Sequence, residues 1–244
     1  MVEQNKRTLM NSVKLDVASE LCSNLSSLIR SKISRLPHLE ELVSDYDEVH
    51  TGDVSIYNYM WNSKGLRKLH IERAVTSKWI EILHCVLFPD PEYPIPIFGC
   101  DIVEAGGKVT AAIVDVSPVK GFEDWDKIRE ISNAFEFSET RHIPAWGDEV
   151  FSPYAKFMRL SKDKDISNFY VLLINYLKVY CDMVDKVEKD DNWIMTMLRY
   201  DDQIHYCKQQ KKNDKTRAIL VNLFDETCAN NYIDNVLFDL PRIK

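Results

Sequence analysis

The sequence predicts an α+β protein, a three-layer α/β/α sandwich with a central antiparallel sheet. One amphipathic helical stretch precedes a run of short β-rich segments, and the chain becomes helical again after Pro118. The connections between the β-rich segments are too short for parallel crossovers, so neighbouring strands must pair antiparallel. This order of helix, strands and helices is typical of one sheet between helical layers.

The first helix is predicted at Leu15–Leu36, where apolar residues recur at helical spacing. Between the last two predicted strands, Ala105-Gly106-Gly107 supplies residues that tolerate positive φ, which indicates a hairpin. The five β-rich runs are Val54–Trp61, Leu66–Ala74, Ile80–Phe88, Ile97–Glu104 and Lys108–Ser117.

The C-terminal half is predicted to be helical, weakly at Trp125–Phe135, strongly at Ile166–Val187, and again from about Asn192 to Val236. With 45% hydrophobic and 28% charged residues, the composition suits a globular core. We therefore expect a single domain over residues 1–244, in which the first fifty residues carry no recognisable site.

Composition excludes several functions. The formal net charge of −7 argues against general nucleic-acid binding, although a local basic face can still exist on an acidic protein. No apolar run approaches the ~18 residues of a membrane span, and the polar first residues lack a signal-peptide core, so we expect no membrane association and a cytoplasmic location. The six cysteines show no CxxC spacing, so no metal site is predicted.

Two polar residues interrupt strongly apolar strands. His84 lies in the run Ile80–Phe88 and Asp101 in the run Ile97–Glu104, so both are predicted to be buried. A buried carboxylate must be paired or protonated. One interpretation is a satisfied polar network in the core; the other is a proton-donating pair with opposed pKa tendencies. The spacing does not decide between them.

Alternation along the strands adds candidates to this face. His70 and Glu72 point to the same side of their strand, and a two-residue turn at Gly106-Gly107 would put Thr110 on the face of Asp101. The face could therefore collect His70, Glu72, His84, Asp101 and Thr110. The alternative for His70 and Glu72 is a solvated polar face of an exposed strand.

Near the C-terminus, the segment Gln203–Arg217 is rich in basic and amide side chains. Such a segment is ordinarily a solvated helix face. Its positive charge also suits a ligand that carries carboxylates, or the docking of an acidic protein.

Eight blocks of sequence are distinctive: KLHIE at 68–72, ILHCVLFP at 82–89, PIFGCDIV at 96–103, AAIVDVSP at 111–118, PAWG at 144–147, QIHYC at 203–207, KNDKTR at 212–217 and VLFD at 236–239. In this order, from about residue 50 to the C-terminus, they resemble the ferredoxin-dependent bilin reductases. The resemblance implies an α/β/α sandwich that holds biliverdin IXα between its sheet and its C-terminal helices. It implies no bound cofactor, neither metal nor flavin, with electrons arriving singly from reduced ferredoxin and the reaction passing through bilin radicals.

The resemblance assigns roles to individual residues. Asp101 matches the central acid that protonates the bilin, and His84 matches the partner that shares a proton with it. Glu72 matches the carboxylate beside the D-ring exovinyl group, with His70 in the same neighbourhood. Glu72 favours the branch of the family that reduces biliverdin to phycocyanobilin with four electrons.

Further positions match the substrate-binding residues of the family. Asn213, Asp214 and Lys215 match a loop near the opposite ring, and Arg159 and Lys215 resemble cations that bind the propionates. Thr110 stands where a serine is usual, and it keeps a hydroxyl for a propionate hydrogen bond.

Two alternatives remain at this point. A related enzyme could make another bilin such as phycoerythrobilin, although Glu72 would then lack an evident purpose. A non-catalytic bilin-binding protein would be expected to have lost Glu72, His84 or Asp101, and all three are present.

An acidic ferredoxin would be repelled by the net charge unless positive charge is gathered near the bilin pocket. The candidates for such a basic docking face are Lys208, Lys211, Lys212, Lys215 and Arg217, joined by Lys64, Arg67 and Lys68.

Overall fold

The computed structural model describes residues 20–242, and its centre is one antiparallel sheet. The strands are β1 (Glu40–Glu41), β2 (Glu48–Thr51), β3 (Val54–Ser63), β4 (Leu66–Thr76), β5 (Ile80–Pro89), β6 (Ile97–Ala105), β7 (Lys108–Ser117), β8 (Glu139–Thr140) and β9 (Lys156–Leu160). They follow the order β1-β3-β4-β5-β6-β7-β9-β8 in the sheet, with β2 also paired to β3. Strands β3 to β7 form the predicted meander.

Helices cover both faces of the sheet. On one face, Leu25 of the first helix and Phe169 and Tyr176 of the long central helix share a core with Leu69 and Leu83 of the strands. The C-terminal helices form a second core against the other face. The α/β/α sandwich is therefore confirmed. The helices are α1 (Glu20–Ile33), α2 (Asp126–Asn133), α3 (Ala145–Asp148), α4 (Asp163–Lys186), α5 (Trp193–Gln210), α6 (Asp214–Leu223), α7 (Glu226–Tyr232) and a π-helical turn (Ile233–Leu237).

The predicted elements are found, but the last helical region is divided and short strands occur that were not predicted. Residues 15–19 of the first predicted helix lie outside the described residues. The last helical region is divided, because Asn213 and Asp225 cap new helices with their side chains and so interrupt the preceding one.

The short strands β1, β2, β8 and β9 were not predicted; apart from β9 they span four residues or fewer, too few for a visible alternation. No helix within residues 20–242 is both long and apolar enough to cross a membrane.

The hairpin between β6 and β7 is confirmed, but its register differs from the prediction. Gly106 and Gly107 have φ values of 58° and 74°, as a tight turn requires. A β-bulge then shifts the pairing, so that Val103 lies opposite Ala111 instead of Thr110. The regular register used to place Thr110 on the face of Asp101 is therefore interrupted at this position. Thr110 occupies the bulge, where its hydroxyl donates to the carbonyl of Val103 at 3.1 Å.

The C-terminal turn is attached to β4 by a charged clamp. Asp239 accepts from Arg67 Nη1 at 2.8 Å and from Lys68 Nζ at 2.5 Å. Lys68 is buried, and it also donates to the carbonyl of Val236. Burial lowers the pKa of Lys68 against the opposing attraction of Asp239. Arg67 and Lys68 are therefore occupied inside the fold, and their inclusion in a docking face was wrong.

The clamp predicts that replacing either of two aspartates in this region destabilises the protein by a different amount. Asp239→Asn leaves the buried Lys68 without its counter-ion, so the free energy of unfolding should fall by about 2–4 kcal/mol, less than for a fully buried pair because Asp239 is partly exposed. The matched control is Asp234→Asn, which breaks the more exposed pair with Lys211 and should cost less than about 1 kcal/mol. Urea unfolding followed by circular dichroism measures both. Equal losses would contradict the clamp.

Candidate functional site

Four polar residues lie in one row across the centre of the sheet. Asn58 of β3 is directly opposite Glu72 of β4, Glu72 is opposite His84 of β5, and His84 is opposite Asp101 of β6. Residues directly opposite in an antiparallel sheet point to the same face with Cβ atoms about 4.5–5.5 Å apart. The row therefore brings two carboxyl groups, an imidazole and an amide together on the face covered by the C-terminal helices.

His84 and Asp101 form a close pair at the end of this row. His84 Nδ1 donates to Asp101 Oδ1 at 2.5 Å, and the side chains are 13% and 46% exposed, respectively. Burial opposes the charged imidazole, but the carboxylate of Asp101 and its hydrogen bond raise the pKa of His84 overall. Asp101 was expected to be buried, and instead its carboxyl group is open to a ligand. The pair is therefore not a closed core network.

Glu72 is buried in the middle of the row. Its Oε2 lies 2.5 Å from the hydroxyl of Tyr232, which comes from α7. Burial raises the pKa of Glu72, although His84 and the Tyr232 hydrogen bond oppose this shift. Glu72 is thus a carboxyl group whose surroundings favour the protonated form, within the same row as the polarised His84–Asp101 pair.

His70 lies beside the row and is fully buried, so the alternative of a solvated strand face is wrong for His70 and for Glu72. Burial, followed by the charges of Lys68 and His84, holds the pKa of His70 well below its usual range. The rings of His70 and His84 meet edge to face at 5.8 Å. Within residues 20–242, His70 Nδ1 and His84 Nε2 are buried and have no hydrogen-bond partner. A substrate or a water molecule can supply one.

The helical layer closes over this face with aromatic side chains. Phe238, just after the π-helical turn, meets the ring of His84 edge to face at 5.8 Å. Tyr206 of α5 covers Gly99, where a Cβ atom would lie 3.3 Å from the tyrosine hydroxyl. The clamp at Asp239 directly follows Phe238, so it fixes the segment that meets His84.

Sequence reasoning missed Asn58 and Tyr232. Asn58 had a usable signal, because it is polar within the buried alternation Val54, Ile56, Asn58, Met60. Tyr232 had none, since it is separated from Glu72 by 160 positions.

The remaining predicted residues are not joined to the row. Arg159 is exposed on β9. Phe157 of the same strand lies opposite Ile113, so alternation places Arg159 on the same face of the sheet as Asp101, two strands away from it. Asn213 caps α6 by accepting from the backbone N–H of Lys215 at 3.2 Å. Asp214 and Lys215 are exposed in the first turn of α6. Their roles in substrate binding, and that of Thr110, stay predictions.

The arrangement is suited to proton transfer. It combines an accessible carboxyl group on a polarised imidazole with a second carboxyl group that favours its acid form, and such differences in environment separate acid from base. No cluster of three His, Cys, Asp or Glu residues spaced for a metal ion occurs among the described residues.

The pair predicts how the charge of His84 responds to Asp101. Asp101→Asn removes the carboxylate, so burial should dominate and the pKa of His84 should fall below its ordinary value of 6.5. Titration of the imidazole nitrogens by NMR measures it, with the exposed Asp234→Asn as control. An unchanged pKa in Asp101→Asn would contradict the pairing.

The raised pKa of His84 also determines how the stability of the protein changes with pH. Because the pKa is higher in the folded state, the contribution of the charged His84 to the free energy of unfolding is complete below about pH 6.5. It is lost as the pH rises through the folded-state pKa. The free energy of unfolding should therefore decline more over that interval in the wild-type protein than in Asp101→Asn.

Comparisons with known proteins identify the family of this chain. The model of the family "Ferredoxin-dependent bilin reductase" matches residues 18–239, beginning earlier than the resemblance seen from about residue 50. A phycocyanobilin:ferredoxin oxidoreductase of Synechococcus sp. (strain CC9902) is 38% identical over 231 residues, covering 91% of this chain and 93% of the relative. Another, from Prochlorococcus marinus (strain MIT 9515), is 39% identical over 219 residues, with 89% and 88% covered.

The fold also resembles a solved structure. Phytochromobilin synthase from tomato, crystallised in complex with biliverdin, superposes with a TM-score of 0.74 at 17% identity, covering 88% of this chain and 82% of the synthase. At that identity the likeness shows the fold alone. Together with the family match over most of the chain, these findings show that the chain belongs to the ferredoxin-dependent bilin reductases, which are oxidoreductases that take electrons from ferredoxin.

Proposed function

We propose that this enzyme reduces biliverdin IXα to phycocyanobilin with four electrons from reduced ferredoxin, through bilin radicals. The observation that carries the proposal is the His84–Asp101 pair, whose carboxyl group is 46% exposed on a sheet face that also holds the buried Glu72. Relatives named for phycocyanobilin formation and a similar fold crystallised with biliverdin support the choice of product and substrate. The proposed location is the cytoplasm.

The chemistry divides the work between partner and protein. Reduction of two carbon–carbon double bonds takes up four electrons and four protons. In this proposal ferredoxin delivers the electrons one at a time, no metal or flavin is bound, and the protons come from side chains with solvent as the final source. The protein must then place a proton donor at each reacting carbon, which is general acid catalysis.

Three residues of the row and the neighbouring His70 receive roles on this basis. Asp101 is the central proton donor, because its carboxyl group is the accessible one. His84 shares this proton with Asp101, and the pair is reprotonated from solvent after each transfer. Glu72 serves the D-ring exovinyl group, and its buried surroundings suit an acid that gives up its proton only to the substrate. His70, which stays neutral, orients the substrate through its free Nδ1.

The carboxylates and outer rings of the substrate require further contacts. Arg159 and Lys215 are exposed cations that suit the two propionates, and Thr110 can add a hydroxyl contact. Asn213 and Asp214 lie with Lys215 at the start of α6, and we assign them to the ring opposite the D-ring.

Ferredoxin docking requires local positive charge on an acidic protein. Lys208, Lys212 and Lys215 are exposed and supply it. Lys211 is paired with Asp234 at 2.7 Å, Arg217 donates to Asn230, and Lys64 is paired with Glu188 at 3.3 Å. We therefore place the centre of the docking face at Lys208 and Lys212, with Lys215 at the border of the bilin site.

The role of Asp101 predicts a stalled reaction. Asp101→Asn keeps the shape of the side chain but cannot give up a proton, so it should bind biliverdin with near-normal affinity and stop at or before a radical. Anaerobic reduction followed by absorption and electron paramagnetic resonance detects that species. Complete turnover by this variant would refute Asp101 as the central donor.

The role of Glu72 predicts a changed product. Glu72→Gln should permit only the A-ring reduction and give a two-electron product that keeps its D-ring vinyl group, because the amide is no acid. Chromatography of the products identifies it. The matched control is Glu104→Gln, which alters a buried carboxyl group on the opposite face of the sheet and should leave the product unchanged. If both variants make the wild-type product, the assignment of Glu72 is wrong.

The docking face predicts a salt-sensitive rate. Turnover at limiting ferredoxin should fall as ionic strength rises, since screening shortens to about 8 Å near physiological salt. Reversing charge at Lys208 and Lys212 should slow ferredoxin use by about tenfold or more at low salt and leave biliverdin binding intact. Reversing the exposed Lys127 and Lys178 of the opposite helical layer changes the net charge equally and serves as control. Equal effects of both pairs would place the docking face elsewhere.

A further inference from the structure

Three oxygen atoms from distant parts of the chain form a short chain of contacts at Glu72. Glu72 Oε2 lies 2.5 Å from the Tyr232 hydroxyl, and that hydroxyl lies 2.9 Å from Asn58 Oδ1. All three side chains are buried. Both distances are those of hydrogen bonds, so each contact requires one hydrogen atom.

The orientation of the Asn58 amide is fixed by its other contacts. Its Nδ2 donates to the backbone carbonyl of Tyr46 at 2.6 Å, which only an amide nitrogen can do. Oδ1 is therefore the atom that faces Tyr232, and it also accepts from His70 Nε2 at 2.7 Å. Because an amide oxygen carries no hydrogen, Tyr232 must donate to Asn58 for their contact to be a hydrogen bond.

The single hydroxyl hydrogen of Tyr232 is therefore used in the hydrogen bond to Asn58. The contact between Glu72 and Tyr232 then needs a second hydrogen, and only the carboxyl group can supply it. If Glu72 were ionised, Tyr232 would donate to it, and two oxygens with lone pairs would face each other at 2.9 Å without a hydrogen between them. Such an unmade buried contact is costly.

We infer that Asn58 and Tyr232 are positioning residues that hold Glu72 as a carboxylic acid, with Glu72 donating to Tyr232 and Tyr232 donating to Asn58. The use of this acid rests on the proposed function, in which Glu72 gives a proton to the substrate. Its protonation rests only on the geometry. When Glu72 loses its proton, the Tyr232 hydroxyl can rotate from Asn58 to the new carboxylate, so one residue serves both protonation states.

The charged groups around Glu72 act in both directions. Burial and Asp101 on β6 favour the acid and prevail over His84 on β5 and over a hydrogen bond donated by Tyr232, so the pKa of Glu72 is raised. Tyr232 is the facing group from α7, and burial together with Glu72 raises its own pKa far above the ordinary value, so it keeps its proton. The electrostatic surroundings thus agree with the count of hydrogens.

Infrared spectroscopy of the substrate-free protein tests this inference, because a protonated carboxyl group has a carbonyl band that a carboxylate lacks. The difference between wild type and Glu72→Gln should contain this band at neutral pH. In Tyr232→Phe, Glu72 should remain an acid, with its band shifted because the hydrogen bond is lost. A wild-type Glu72 that is ionised at neutral pH, with the acid band appearing only in Tyr232→Phe, would overturn the inference.

The role of Asn58 is tested by a double-mutant cycle. Asn58→Leu frees the Tyr232 hydroxyl to donate to a carboxylate, so the titration midpoint of Glu72 should fall by about one pH unit, the equivalent of one hydrogen bond. In the Tyr232→Phe background, the same change should not lower the midpoint. An equal fall in both backgrounds, or none in either, would overturn the inference.

If Asn58→Leu does not fold, the wild-type and Tyr232→Phe spectra still decide the protonation of Glu72. Since no substrate is present, these results do not depend on bilin reduction. A normal product from Glu72→Gln would remove the proposed use of the acid and leave its protonation as inferred.

Discussion

The cross-strand register of β3 to β6 is the constraint on which the site depends. It places Asn58, Glu72, His84 and Asp101 directly opposite one another, although 43 positions separate the first from the last. A slip of one residue in any strand would turn its member of the row to the opposite face, into the core shared with α1 and α4. Buried apolar neighbours on both faces prevent such a slip, so the packing that stabilises the sheet also positions the chemistry.

The register alone does not set the protonation states; the helical layer and the depth of burial do so. His70 and His84 are both histidines on this face, yet burial lowers the pKa of the first, while the pairing with Asp101 raises that of the second. Glu72 and Asp101 differ in exposure, because one is covered by Tyr232 and the other has an exposed carboxyl group. His70, Glu72 and His84 can therefore have different protonation states at one pH. The clamp of Asp239 on Arg67 and Lys68 fixes the chain just beyond Phe238, which completes this surface.

Much of this could be predicted from the sequence, for physical reasons that differ between residues. The meander followed from short connections and alternation, which are local properties, and His84 and Asp101 were detectable as polar residues within apolar strands. Local reasoning missed the β-bulge at Thr110, because such a bulge changes the register without a clear local signal. It also failed at Lys68, whose counter-ion Asp239 is 171 positions away, and at Tyr232, since tertiary packing alone brings them to their partners. The exposure of Asp101 depends on how the helices cover the sheet, and strand periodicity does not encode that.

The central claim is that this face of the sheet supplies protons for the reduction of biliverdin. The most direct test is anaerobic incubation of the wild-type enzyme with biliverdin IXα, ferredoxin and a reducing system, with the products identified by chromatography and mass spectrometry. We expect phycocyanobilin, which is biliverdin reduced by four electrons, to form only when ferredoxin is present. Biliverdin recovered unchanged, or a product in which the D-ring vinyl group is retained, would contradict it.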